Sequence, residues 1–207
     1  RKGTLAFVAS MQDESGSFRA STDGESDMRF LFCAAAVCEL LDDREHVGLD
    51  VRRATAYVLA ARSYDGGFGL AAGQESHGGS TYTALAALSL MGTLHQLPRP
   101  ERTVRWCVER QHGGFQGRPN KDEDSCYSFW VGASLELLGV PRMADGVRLQ
   151  HFVGRCECVR KGGFGKFVGC HSDVLHSYYS LCGLSLIGAS GVAPLDPRLG
   201  MSQRASG

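Results

Sequence analysis

The chain has 207 residues, 43% of them hydrophobic, and its 22 Lys plus Arg balance 22 Asp plus Glu. That size and apolar content suit one domain, or part of a larger one, with a sizeable core; they exclude general disorder, and the charge balance excludes a broad basic field for nucleic acid or anionic membrane. The longest nearly apolar run, "FLFCAAAVCELL" at 30–41, is short of the roughly 20 residues a bilayer crossing needs, and eight cysteines with no secretory start read as reduced thiols or metal ligands, so a soluble cytoplasmic protein is expected.

The chain opens at Arg1 in what reads as mid-helix, so an N-terminal truncation is expected. A turn "SGSF" ends at Phe18, and the apolar run "DMRFLFCAAAVCELL" at 27–41 predicts a helix. "LDVRRATAYVLAARS" at 49–63 predicts an amphipathic helix, "DGGF" ends at Phe68, and a loop carrying His77 leads to the apolar "STYTALAALSLMG" at 80–92. In "RPERTVRWCVERQ" at 99–111, Val104, Cys107 and Val108 share one helical face; "GGF" ends at Phe115, and the loop "GRPNKDEDSC" precedes the apolar "SCYSFWVGASLELLG" at 125–139. A last "GGF" ends at Phe164, followed by Lys166 and the apolar "LHSYYSLCGLSLIG" at 175–188. The turns recur at intervals of 50, 47 and 49 residues, and three of the four apolar helices stop at a glycine, Gly92, Gly139 or Gly188. The unit is helix, glycine turn, helix.

One helix of each pair is apolar nearly all round and the other amphipathic, which predicts two concentric layers with the apolar helices inside, closed into a barrel or continued as a solenoid. The heads of the inner helices then share one mouth, where Arg29, His77, Arg118, Lys121, Asp124, Cys126 and His176 collect. Positive helix ends and cations above an aromatic and aliphatic wall point to a ligand with an anionic head and a greasy tail.

Asp124 and Cys126 form a D-x-C at the head of one inner helix, and His176 stands near the head of the next, where the repeat brings it beside them. Oxygen, sulfur and nitrogen donors suit zinc, and three protein ligands leave the fourth position open. Cys156, Cys158, Cys170 and His171 form a rival set for a closed structural site, and reduced thiols with a hydrogen-bonded histidine are the reading without metal. Spacing alone leaves these open.

"ESHGGSTY", "GRPNKDEDSCYSFWVGASL" and "DVLHSYYSLCGLSL" together resemble the β subunits of protein prenyltransferases, over residues 1–190. The resemblance implies an all-α fold, an α/α toroid of six helical pairs of which this sequence supplies about four, with 191–207 as a C-terminal tail. It implies a heterodimer with a helical-repeat α subunit, and zinc held by Asp124, Cys126 and His176. By the same resemblance, His77, Arg118, Lys121 and Tyr127 hold an isoprenyl diphosphate, while Arg29, Phe32, Trp130 and Tyr179 line the tunnel for lipid and peptide. Lys166 stands where farnesyl and Rab-directed enzymes carry an aspartate, and Leu175 where the farnesyl enzyme has a tyrosine. Both imply the type I geranylgeranyl class, acting without magnesium on C-terminal C-a-a-X motifs of small GTPases, with no nucleic acid partner and no stable membrane insertion. A farnesyltransferase β subunit and a non-catalytic toroid scaffold are the alternatives; a terpene cyclase would carry an acidic protonating motif, and none is present.

Overall fold

Outer and inner helices alternate along residues 1–43 and 45–206, which the computed structural model describes. The outer helices are α1 (Lys2–Ser10), α3 (Val51–Ala60), α5 (Pro100–Val108) and α7 (Gly146–Arg155); the inner ones are α2 (Met28–Leu40), α4 (Gly78–Leu90), α6 (Tyr127–Leu137) and α8 (Val174–Leu186). A two-residue hairpin of β1 (Phe18–Arg19) and β2 (Ser26–Asp27) closes the first turn, and among the described residues no helix is long and apolar enough to cross a membrane.

Five helix starts are written in the polar residue that precedes them. Asp27, Asp50, His77, Asp145 and Asp173 each accept a hydrogen bond from a backbone N–H of the first turn. The stops are equally local. Gly92, Gly139 and Gly188 take left-handed φ values of 70°, 75° and 70°, and Asp42 fills that place in the first repeat at 52°. The next residue's N–H then returns to the carbonyl five residues back, as from Thr93 to Leu88 and from Val140 to Leu135.

Inner helices pack in chain order, α2 on α4, α4 on α6 and α6 on α8. Helix α4 has neighbours on both sides, and every residue from Ser80 to Leu88 is buried. The expectation that all four are enclosed fails for α8: Val174, Leu175, Tyr178 and Leu181 are exposed, because α6 packs against one side of this last inner helix.

One backbone stitch fixes the register of the row. Met28, Gly78 and Ser125, each ten residues past its repeat's phenylalanine, donate to the carbonyls of Leu70, Gly117 and Lys166, each two residues past the next phenylalanine, at 3.0, 2.7 and 3.0 Å. The heads of the first three inner helices are thereby tied to the loops of the repeats that follow them.

Acids close the second and third glycine turns. Asp65 accepts from the Gly67 N–H at 3.1 Å, the Ser76 hydroxyl at 2.5 Å and the Trp106 indole at 3.0 Å. A side chain at Gly66 would sit 2.5 Å from the Arg102 carbonyl of α5, which explains the glycine. In the third repeat His112 replaces that aspartate and Glu123 replaces the serine; Glu123 Oε1 accepts from the N–H groups of Gly113 and, at 3.1 Å, Gly114. Glu123 thus closes a turn. Glu123→Ala is expected to cost about 1–3 kcal/mol by leaving these donors unpaired, read from the denaturant midpoint.

Residues 191–206 fold back on the inner helices through β3 (Leu195–Asp196), β4 (Met201–Ser202) and α9 (Gln203–Ser206). Leu195 is buried against Tyr82, Phe129 and Cys182, the Tyr82 hydroxyl donates to the Arg198 carbonyl at 3.0 Å, and Arg198 pairs with Glu39 of α2 at 2.8 Å.

Candidate metal centre and anion mouth

The repeat geometry that builds the stitch also builds the site. It sets the residue nine past one phenylalanine against the residue twelve past the next, which gives His77 beside Tyr127 and Asp124 beside His176. Two pairs of functional side chains come from one structural rule.

Asp124, Cys126 and His176 offer ligand atoms that all lie within 4.8 Å of one another. His176 Nε2 is 3.4 Å from Asp124 Oδ1. Asp124 and Cys126 are buried, and Asp124 Oδ1 also accepts the Cys126 N–H at 2.9 Å, which holds the D-x-C in a tight local turn. Burial, and then the neighbouring Asp124 carboxylate, push the Cys126 thiol well above its usual range. Such a thiol ionises only against a positive partner. Among the described residues, Cys156, Cys158, Cys170 and His171 form no comparable group. Cys156 is buried at the end of α7, and burial pushes it up to about 11.

Asp173, which the sequence reading passed over, orients His176. Its Oδ1 caps α8 through the His176 N–H at 2.9 Å, and its Oδ2 lies 2.6 Å from His176 Nδ1. The hydrogen bond from the His176 N–H, followed by that from the ring, holds the Asp173 carboxyl below its usual range. An ionised carboxylate only accepts, so Nδ1 carries a hydrogen, and Nε2 is the ring nitrogen left to face a cation beside Asp124 and Cys126. The signal was available: Asp173 occupies the helix-capping place of His77, nine residues past its phenylalanine.

Nearby, His77 Nδ1 accepts the Gly79 N–H at 3.0 Å, so the ring hydrogen sits on Nε2 and points at the Tyr127 hydroxyl, 2.9 Å away. Burial, followed by the Arg118 charge, lowers the His77 pKa, in keeping with a neutral ring. Tyr127 threads between two glycines; a side chain at Gly117 would lie 2.2 Å from its ring, and one at Gly78 would lie 2.9 Å from it. Gly117→Ala is expected to displace Tyr127 and cost about 1–3 kcal/mol through overpacking, visible as a lowered melting temperature.

A cavity of about 450 Å³ opens beside this pair, lined by Arg29, Leu70, Glu75, His77, Ser80, Thr83, Arg118 and Trp130 among others. Tyr179 and Phe32 pack behind its wall, Tyr179 with its ring 4.3 Å from Trp130 and Phe32 edge-on to Tyr82 at 5.5 Å. Lys166 Nζ stands 3.6 Å from Asp124 Oδ2. Lys121 lines a separate surface depression with His112, Gln116 and Phe167, beyond the left-handed turn at Asn120, and Leu175 is exposed on α8. The cationic rim expected from the sequence carries its own counter-ions. Arg29 is bound by Asp27, with Nη2 to Oδ2 at 2.5 Å, and by Glu25 at 3.2 Å, while Arg118 is bound by Glu75 at 2.6 Å.

Comparison with known proteins adds independent findings. Residues 1–201 match the model of the prenyltransferase alpha-alpha toroid domain. The chain is 43% identical over 213 residues to the geranylgeranyl transferase type-1 subunit beta of Arabidopsis thaliana, covering 97% of this chain and 56% of the relative. It is 39% identical over 210 residues to the Dictyostelium discoideum protein of the same name, covering 100% of this chain and 59% of that one. The chain therefore spans somewhat more than half the length of these relatives. The solved Candida albicans protein geranylgeranyltransferase-I complexed with GGPP superposes with a TM-score of 0.85 at 24% identity, over 97% of this chain and 65% of that one, a likeness of fold.

Proposed function

The chain belongs to the prenyltransferase alpha-alpha toroid family, and on that premise we propose that it is the β subunit of a zinc-dependent protein geranylgeranyltransferase type I. It would transfer a geranylgeranyl group from its diphosphate to the cysteine of C-terminal C-a-a-X motifs on small GTPases, in the cytoplasm, as a heterodimer with an α subunit. The observation that carries the reading is the convergence of Asp124, Cys126 and His176 beside the His77, Tyr127 and Arg118 mouth.

The donor set fits zinc: one oxygen, one sulfur and one nitrogen, with the nitrogen's tautomer fixed by Asp173. When bound there, zinc supplies the Lewis acidity that ionises a substrate thiol, which otherwise has a pKa near ~8.5. This chain's residues do the rest. The thiolate attacks the first carbon of the lipid, and charge builds on the departing diphosphate. Arg118 meets it with a guanidinium, and Tyr127 with a hydroxyl whose own proton is free because His77 Nε2–H already donates to its oxygen. Lys166, 3.6 Å from Asp124, would put a positive charge beside the metal site, which supports the magnesium-independent class. Trp130 and the aromatic layer behind it offer the lipid a wall without water.

The test is transfer by the full-length β subunit co-expressed with its α subunit, using geranylgeranyl and farnesyl diphosphates and a peptide ending in C-a-a-Leu, with and without zinc and magnesium. Geranylgeranyl transfer that needs zinc and ignores magnesium is expected. Magnesium-dependent farnesyl transfer would put the chain in the farnesyl class, and zinc binding without transfer would make it a scaffold.

A further inference from the structure

Glu75 and Arg118 come from the loops ahead of two successive inner helices, and their ion pair of 2.6 Å spans the cavity wall between those loops. A carboxylate is the wrong charge for the wall of an anion site, and nothing in the folding of either loop calls for it. Glu75 takes no part in capping α4, which His77 does, or in closing the glycine turn, which Asp65 and Ser76 do. Among the described residues its hydrogen-bonded partner is the Arg118 guanidinium, and its charge is also felt by the neighbouring His77 ring. The Glu75 side chain is 63% exposed and that of Arg118 42%, so a soluble anion reaches the pair without unfolding anything.

We propose that Glu75 is an exchangeable counter-ion of Arg118, displaced by an arriving diphosphate and restored as that group leaves, so that it sets the affinity of the mouth for the anionic head. The inference rests on the functional reading above, which makes Arg118 a diphosphate ligand. An exposed carboxylate–guanidinium pair is worth little, whereas a guanidinium on a phosphate forms stronger, bidentate contacts, so the exchange runs forward on binding. Glu75 keeps Arg118 from standing bare between turnovers. A site that must release its diphosphate product gains from a resident competitor. Arg29, on the same cavity, is held differently: buried Asp27 grips it through two nitrogens, so it is no comparable exchange partner.

The experiment titrates the full-length heterodimer with inorganic pyrophosphate at low ionic strength, comparing wild type, Glu75→Gln, Arg118→Gln and the double variant. If the pair closes Arg118 as an exposed pair of ordinary strength does, freeing it tightens binding about two- to sixfold. That gain is expected in Glu75→Gln, should be absent from the double variant relative to Arg118→Gln, and should shrink as salt is raised. Pyrophosphate release, followed by displacement, should slow in Glu75→Gln, a change that a merely structural role would not produce. Unchanged or weaker binding in Glu75→Gln, with Arg118→Gln still defective, overturns the counter-ion role and leaves the site reading intact. Equal binding by wild type and Arg118→Gln overturns both.

Discussion

If the chain acts as proposed, Cys126→Ala is expected to abolish metal binding and to lower prenyl transfer by at least about 100-fold, since even a group one shell outside a metal commonly costs 10–100-fold. Cys126 is the sulfur of the three-ligand group and the softest of its donors. Its buried setting holds the thiol protonated in the absence of a cation, so its ionisation is linked to metal uptake. The loss should be local: the backbone bond from residue 126 to Asp124 survives the substitution, and alanine suits a buried site at the head of α6. Zinc content by elemental analysis, alongside an unchanged circular dichroism spectrum, separates loss of metal from loss of fold. Stoichiometric zinc in the variant would move the metal elsewhere, with Cys156, Cys158, Cys170 and His171 the first place to look.

The repeat was legible because glycine turns, capping residues and apolar runs are short-range signals, and each element formed where its own residues dictate. The grouping of Asp124, Cys126 and His176 was legible for a related reason. A period of about fifty residues converts sequence distance into adjacency, so the D-x-C and His176 could be set side by side without coordinates. What escaped the sequence is side-chain pairing that no period encodes. Glu75 meets Arg118 across 43 positions, and Glu123 reaches back to the Gly113 and Gly114 turn. Asp27 beside Arg29 is only two positions away, yet proximity alone does not tell a capping carboxylate that it also binds a guanidinium. The mouth is therefore less positive than a count of its arginines suggests. Position 166 shows the converse. Its lysine was singled out by resemblance, and its 3.6 Å approach to Asp124 follows from the stitch between Ser125 N–H and the Lys166 carbonyl.

Asp173→Asn should weaken metal binding by about 10–100-fold while leaving stability near that of the wild type. Asparagine caps a helix as well as aspartate, so its carbonyl oxygen can keep the His176 N–H that opens α8. The other end of the amide is then an NH2 group that can only donate, and it faces His176 Nδ1 where a carboxylate oxygen stood at 2.6 Å. Donor against donor is repulsive, so the ring hydrogen shifts to Nε2, the nitrogen that looks toward Asp124. A nitrogen carrying hydrogen cannot ligate, and the wrong tautomer is the known cost of replacing an aspartate by asparagine behind a working histidine. Asp173→Ser gives the control: it retains a cap but places no donor against Nδ1, so its loss should be smaller. Cobalt titration of the full-length protein with its proposed α subunit gives the affinities, and the nitrogen chemical shifts of His176 report the tautomer in the metal-free protein. Wild-type affinity in Asp173→Asn, with the hydrogen still on Nδ1, would show that the capping bond alone orients the ring.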